Sequence, residues 1–310
     1  MIIDRHVITR RTFILGTGSL AAMSLVPLRV FCEIRAPIIR AIPSSGEPLP
    51  IIGLGTSRTF DVGVDPSVRG QLAEVMQVFF DSGGRLIDSS PMYGRAEEVV
   101  GDLLKDIGKR GAVFAATKVW TDGRQNGIDQ MNQSMQRMGV EVIDLMQIHN
   151  LRDWRTHLPV LREWKQEERI RYIGITTSHG RFHEEFEEVM AKEPLDFVQF
   201  SYNLEDRAVE ERLLPLAAER GIATLINRPF QRGDLFAKVK GKPLPEWSAE
   251  FGCRSWGQFF LKFIAGHPAV TCIIPATSKV RHMQDNMEAG FGQLPDAAMR
   301  RRMVAHYEQL

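Results

Sequence analysis

Cysteine is scarce in this chain: there are three in 310 residues, Cys32, Cys253 and Cys272, and they are scattered. Thiols so few and so far apart exclude a disulfide framework and a zinc site, so no structural metal is expected. The spacing neither implies nor forbids one Cys253–Cys272 bridge, and Cys272, in an apolar strand-like run, reads as core. Charge of one sign is missing too. The 39 basic residues against 38 acidic ones leave +1 at neutral pH. That balance lacks the basic field of a nucleic-acid binder, so no nucleic-acid partner is expected. No Gly-x-Gly-x-x-Gly follows a strand, which argues against an open dinucleotide-binding sheet. Gly53-Leu54-Gly55-Thr56 is only a tight strand-end turn. A long apolar run is absent as well: Ile14 to Leu28 is short, interrupted by Gly, Ser and Ala, and followed by Arg29 and Arg35. No stable membrane span is expected in the mature protein.

What is present is the composition of an ordinary soluble enzyme, 44% hydrophobic and 25% charged. The length suits one α/β barrel with one core. At the N-terminus, Thr9-Arg10-Arg11-Thr12-Phe13-Ile14-Leu15 places an arginine pair before the weakly apolar stretch. This resembles a twin-arginine export signal; the alternative is a charged N-terminal arm. The resemblance implies a leader over residues 1–36, a catalytic domain over residues 37–310, the twin-arginine machinery as partner and a periplasmic destination. Such export carries folded proteins, so it is compatible with a nucleotide collected beforehand in the cytoplasm.

From Pro37 onward short β-branched or apolar runs alternate with longer amphipathic stretches, the pattern of repeated βα units around a parallel sheet. Ile38 to Ile42 and Leu49 to Ile52, separated by Ser44-Ser45-Gly46, read as a hairpin able to close the bottom of a barrel. Inner strands are expected at Ile51 to Leu54, Leu86 to Asp88, Ala112 to Lys118, Leu145 to His149, Tyr172 to Thr176, Phe197 to Phe200, Ala223 to Ile226 and Cys272 to Ile274. Helical periodicity fills the gaps at Val68 to Ser82, Ala96 to Gly108, Ile128 to Met138, Leu158 to Glu168, Phe182 to Ala191, Val209 to Arg220, Ser255 to Ala265 and Val280 to Ala289. Eight of each predict a (β/α)₈ barrel with an N-terminal β-hairpin.

In such a barrel the C-terminal strand ends share one mouth, where chemistry is found. Asp88, Lys118 and His149 end successive strands, and Tyr93 follows Asp88 in the loop Ser89-Ser90-Pro91-Met92-Tyr93-Gly94. Singly, each has an ordinary explanation: a helix cap, a solvated lysine, a wet hydroxyl, a satisfied core histidine. Together they have a job. A tyrosine with an unperturbed pKa near 10 becomes a usable acid when a neighbouring ammonium stabilises its phenolate, and a carboxylate can hold that ammonium in place.

Leu86-Ile87-Asp88-Ser89-Ser90-Pro91-Met92-Tyr93-Gly94 with Glu97-Glu98-Val99-Val100-Gly101 resembles the aldo/keto reductase signature. Thr117-Lys118-Val119-Trp120 resembles the family's lysine strand, and Asp144-Leu145-Met146-Gln147-Ile148-His149 its histidine strand. The likeness runs from about Ile38 to Ala289. It implies hydride transfer from a nicotinamide to a small-molecule carbonyl substrate, with Tyr93 protonating the oxygen, Lys118 lowering its pKa, Asp88 supporting Lys118 and His149 orienting the carbonyl. Trp120 either walls the substrate pocket beside Tyr93 and His149 or packs in the core.

The same likeness implies NADP(H). It places Gln199 on the nicotinamide carboxamide, and Gly55, Thr56, Asp88, Thr176, Thr177 and Arg228 around the cofactor. Thr177 stands where the family has asparagine, and Asn227, before Arg228-Pro229-Phe230, where an aromatic residue is common. Ile273-Ile274-Pro275-Ala276-Thr277-Ser278-Lys279-Val280-Arg281-His282-Met283-Gln284-Asp285-Asn286 resembles the segment that takes the adenosine 2′-phosphate and adenine, through Ser278, Lys279, His282, Asp285 and Asn286. Cations at a helix start oppose the helix dipole, and a bound phosphate gives them a reason. Lids are expected at Thr121 to Gly127 and Gln231 to Trp247. The competing reading is an exported nucleotide-binding barrel with little turnover, motivated by Thr177, Asn227 and the leader. A glycosidase would need paired carboxylates at strand ends, and only Asp88 fits.

Overall fold

Strands alternate their side chains between two faces, so in a closed barrel one set fills the interior and the other meets the helices. A computed structural model describes residues 36–310, and along most of its strands successive apolar residues divide between an inner and an outer cluster. The Arg10-Arg11 pair, the apolar stretch after it and Cys32 lie outside the described residues.

The chain opens with an antiparallel hairpin, β1 (Ile39–Ala41) and β2 (Pro48–Pro50), with Ile39 opposite Pro50. Then come β3 (Leu54–Gly55), α1 (Pro66–Asp81), β4 (Leu86–Asp88), α2 (Ala96–Asp106), β5 (Phe114–Val119), α3 (Arg124–Met138), β6 (Ile143–Ile148) and α4 (Trp154–Gln166). The second half runs β7 (Ile170–Thr176), α5 (His183–Lys192), β8 (Phe197–Ser201), α6 (Leu213–Arg220), β9 (Ala223–Asn227), α7 (Asp234–Lys238), α8 (Trp256–Ala265), β10 (Cys272–Ile273), α9 (Val280–Glu288) and α10 (Ala297–Glu308). Strands β3 to β10 pair in sequence order, every neighbour parallel. Bridges from Ile52 to Ile273 and from Gly55 to Ala276 join the last strand to the first. At that seam a Cβ on Gly55 would sit 2.7 Å from the Ile274 carbonyl oxygen, so only glycine allows the approach.

Inside the barrel, Phe114, Leu145, Tyr172, Phe197, Ala223 and Cys272 form one apolar layer with Ile42 and Leu49 of the hairpin segment, which therefore plugs the bottom as expected. One period of two further along the same strands, the inward positions turn polar: Lys118 beyond Ala116, Gln147 after Leu145, and Gln199 after Phe197. The outward residues pack beneath the helices in the larger core.

Several boundaries differ from the periodicity. Helices α3 and α4 begin at Arg124 and Trp154, a turn before the expected Ile128 and Leu158, because their polar first turns show no apolar rhythm. The Val209 to Arg220 stretch divides into a tight turn at Ala208–Glu210 and α6. Helices α7 and α10 were not expected; α10 has a weak apolar stripe and is set by Asp296, whose side chain caps it at the Met299 N–H, 2.8 Å away. Cys253 and Cys272 are free, buried thiols and form no bridge. Among the described residues no helix is long and apolar enough to cross a membrane.

Where α2 crosses α3, a Cβ on Gly101 would meet the Arg137 carbonyl oxygen at 2.0 Å. Gly101→Ala should therefore force the helices apart and cost about 1–3 kcal/mol, as overpacking does. Denaturant unfolding reads this directly, and a variant as stable as the parent would contradict the close crossing.

Candidate active site

The polar upper layer is built around Asp88. Its Oδ2 accepts from Lys118 Nζ at 2.6 Å, and its Oδ1 accepts from Gln147 Nε2 at 2.9 Å and Gln199 Nε2 at 3.1 Å. Lys118 Nζ also donates to the Ser89 carbonyl at 2.6 Å. Both charges are buried, and a buried pair is tolerable only with its remaining hydrogen-bonding capacity filled, which these contacts accomplish. Burial is the largest single influence and works against the Lys118 charge, but Asp88, Tyr93 and Glu97 together outweigh it and hold the ammonium above the ordinary lysine range.

The Lys118 ammonium lies over the Tyr93 ring, 5.2 Å from its centroid. The expected lowering of Tyr93 is present only as a counterweight. Desolvation raises the phenol above its usual pKa, Lys118 pulls it down, and the net direction is upward. Tyr93 therefore keeps its proton at neutrality.

His149 stands edge-on to Tyr93 at 5.9 Å between ring centroids. Burial, with the charges of Lys118 and Arg181, lowers it to about 3. The ring is neutral at physiological pH. Its Nδ1 lies 3.1 Å from Ser90 Oγ, and that oxygen already accepts from the Met92 N–H at 3.2 Å. Donation from the Ser90 hydroxyl to Nδ1 corresponds to the tautomer that carries the ring proton on Nε2. Since the unfolded chain protonates His149 near pH 6.5 and the folded one near 3, its contribution to stability is complete above pH 6.5 and disappears as pH falls toward 3. Activity should accordingly show no inflection near 6.5 from this residue; a pH–rate break there that vanishes in His149→Gln would contradict a neutral imidazole.

A cavity of about 900 Å³ opens over this layer at the strands' C-terminal ends. Of the residues expected at the site, Gly55, Thr56, Asp88, Tyr93, His149, Thr176, Thr177, Gln199, Arg228, His282, Asp285 and Asn286 line it. Lys118 sits beneath, reaching it through Asp88 and Tyr93. Trp120, Ser278 and Lys279 are not part of the wall. Trp120 tilts 6.4 Å from the His149 ring with Arg152 over its face. The Ser278 carbonyl accepts from Gln71, and the Lys279 N–H donates to Thr277 Oγ1 as α9 begins. Of the expected lids, the second contributes Arg232, Gly233 and Phe236 to the wall, and Thr121 to Gly127 contributes nothing.

Asn227 occupies its position differently from a stacking aromatic. It donates to the Thr177 carbonyl at 3.0 Å and to Gln199 Oε1 at 3.3 Å, and accepts from Ser201 Oγ at 2.7 Å, extending the Asp88 network across β9. Sequence reasoning missed Gln147, Ser90 and three arginines of the wall, Arg58, Arg181 and Arg232. Gln147 had a signal, a polar residue two positions after inward Leu145 in a strand otherwise apolar on that face.

A model of the aldo/keto reductase family matches residues 51–305. The aldo-keto reductase YhdN of Bacillus subtilis is 31% identical over 221 residues, and the match spans 64% of this chain and 64% of that relative's length. An Escherichia coli NADH-specific methylglyoxal reductase is 29% identical over 238 residues, covering 63% of this chain and 68% of its own. Among solved structures, the holo form of an aldo-keto reductase from Bacillus halodurans superposes with a TM-score of 0.72 at 22% identity, covering 88% of this chain and 96% of its own. One from Klebsiella pneumoniae in complex with NADPH gives 0.71 at 21% identity, covering 88% and 95%.

Proposed function

The chain belongs to the aldo/keto reductase family, and we propose that it reduces small aldehydes or ketones to alcohols with NADPH as reductant. The observation that carries this reading is the buried Asp88–Lys118 pair facing a protonated Tyr93 beside a neutral His149, all at one cavity.

The cavity wall suits a nicotinamide dinucleotide by its donor set. Thr176 offers a hydroxyl near the catalytic end, Thr177 and Gln199, whose own hydrogens go to the Arg181 carbonyl, Asp88 and Gln147, offer accepting oxygens there, Arg228 offers a cation for phosphate, and Thr277, His282 and Asn286 line the far end beside α9. NADPH in the Klebsiella pneumoniae relative supports the choice, with Ser278, Lys279 and Arg281 adjacent for a 2′-phosphate. When bound, the nicotinamide supplies a hydride to the carbonyl carbon.

The chain's own residues do the rest. His149 orients the carbonyl through its Nε2–H, a donor that burial keeps neutral and so unable to exchange its role with pH. Tyr93 holds a proton on Oη at neutrality and gives it to the carbonyl oxygen as negative charge develops there. The phenolate left behind faces the Lys118 ammonium, which Asp88 and the Ser89 carbonyl hold in place. Preorganised charge of this kind acts without rearrangement at the moment of reaction.

Consumption of NADPH by purified protein with a panel of aldehydes tests the activity. Turnover dependent on aldehyde is expected; tight nucleotide binding with none would favour the binding-only alternative.

We further propose export of the folded chain, supported by the Arg10-Arg11 pair before its apolar stretch. Fractionated cells should hold the parent chain in the periplasm and retain an Arg10→Lys/Arg11→Lys variant in the cytoplasm; equal distributions would refute it.

A further inference from the structure

Four arginines line the cavity, Arg58, Arg181, Arg228 and Arg232, and no carboxylate forms an ion pair with any of them among the described residues. The wall's acids are committed elsewhere: Asp88 to Lys118, and Asp285 to Ser255 Oγ at 2.6 Å and Gln258 Nε2 at 2.8 Å. Asp206 and Asp234 offset part of the Arg228 charge from a distance, and the net positive charge left on a concave wall concentrates an anion there. The cluster is mutually close. Burial and then Arg232 lower the Arg228 pKa, Asp206 and Asp234 oppose them, and Arg58 adds a smaller lowering, while burial and Arg228, Arg232 and Arg181 lower that of His179, whose ring touches the Arg228 guanidinium.

The proposed nucleotide accounts for part of this. Arg228 follows β9 directly, next to Asn227 and the nicotinamide end, and suits the dinucleotide's phosphates. Arg181 is placed differently. It leaves β7 on the loop after Thr177, and its charge is felt at His149, the residue that aims the carbonyl. Its Nε and Nη2 are fixed by Ser178, at 3.2 Å from the carbonyl oxygen and 3.2 Å from Oγ, and Thr177 Oγ1 donates to the Arg181 carbonyl. On the remaining edge of the fork, Nη1 makes no hydrogen bond or ion pair among the described residues. A guanidinium so anchored can offer a carboxylate or phosphate a prepared, charge-assisted contact.

Resting on the carbonyl-reductase reading, we propose that the substrate is itself an oxyanion, a carbonyl compound bearing a carboxylate or phosphate that Arg181 receives, with Arg58 as the second cation at the mouth.

The test compares kcat/KM for benzaldehyde with para-carboxybenzaldehyde, and for glyceraldehyde with its phosphate ester, in the parent chain, Arg181→Gln and Arg181→Lys. The parent should prefer the anionic member of at least one pair, and the pair identifies carboxylate or phosphate. Arg181→Gln should cut that preference by about tenfold or more, through KM, as loss of a charged hydrogen bond does; Arg181→Lys should recover part of it. Arg58→Gln serves the same purpose should Arg181→Gln fail to fold. Parent ratios near one, a ratio unmoved by Arg181→Gln, or weakened NADPH binding with the ratio unmoved would each overturn the proposal. Should no aldehyde turn over, the reductase reading fails, and binding of benzyl alcohols to the NADPH-loaded protein, read by nicotinamide fluorescence, still decides the anion site: Arg181-dependent preference for the para-carboxylated alcohol supports it, and equal binding overturns it.

Discussion

Tyr93→Phe is expected to lower kcat by about three orders of magnitude, inside the roughly 10²–10⁴-fold range a positioned general acid contributes. The phenyl ring keeps its place against His149 and under Lys118, so packing survives while the proton is lost. Nucleotide affinity should hold within about twofold, because removing an interaction made only in the transition state lowers kcat without altering binding. Steady-state rates and nucleotide fluorescence titration separate the two. A variant that keeps a tenth of parental kcat would mean that another group, or water, delivers the proton.

Lys118→Met should be the most destabilising change at the site. It leaves the Asp88 carboxylate buried with two amide donors, Gln147 and Gln199, and no cation. Removing one member of a buried pair costs about 3–5 kcal/mol, and the retained amides argue for the lower end. Adding Asp88→Asn removes the stranded charge, so the double variant should regain most of the lost stability and none of the activity. Denaturant midpoints and turnover measured on all three proteins check this. If Lys118→Met is as stable as the parent, the pair is not holding the layer together. If the double variant is active, the ammonium is not what supports Tyr93.

The barrel was readable because its strands are short, apolar and regularly spaced, and every inner strand was anticipated in order. Its edges were less readable where packing overrides periodicity, as in the polar first turns of α3 and α4 and in α10, which is set by its cap more than by its stripe. Asp88, Tyr93, Lys118 and His149 were legible as strand-end residues, and the fold brings them together. Their electrostatics was not. The sign of the Tyr93 shift depends on how much desolvation the cavity wall imposes, which no local spacing records. The amide chain from Asp88 through Gln147, Gln199 and Asn227 joins residues up to 139 positions apart, and only the closed sheet makes them neighbours. The arginine cluster was invisible for the same reason: Arg58, Arg181 and Arg232 come from three separate loops and meet only at the mouth.

The central claim is that this cavity transfers hydride from the nucleotide to a carbonyl carbon while Tyr93 supplies the proton. Its most direct measurement is a single turnover with NADPH deuterated at the transferring carbon of the nicotinamide, followed by mass analysis of the alcohol. One deuterium on the former carbonyl carbon, absent from the Tyr93→Phe reaction on the same timescale, is the result predicted. An alcohol carrying no deuterium, or labelled equally fast by both proteins, would contradict the account.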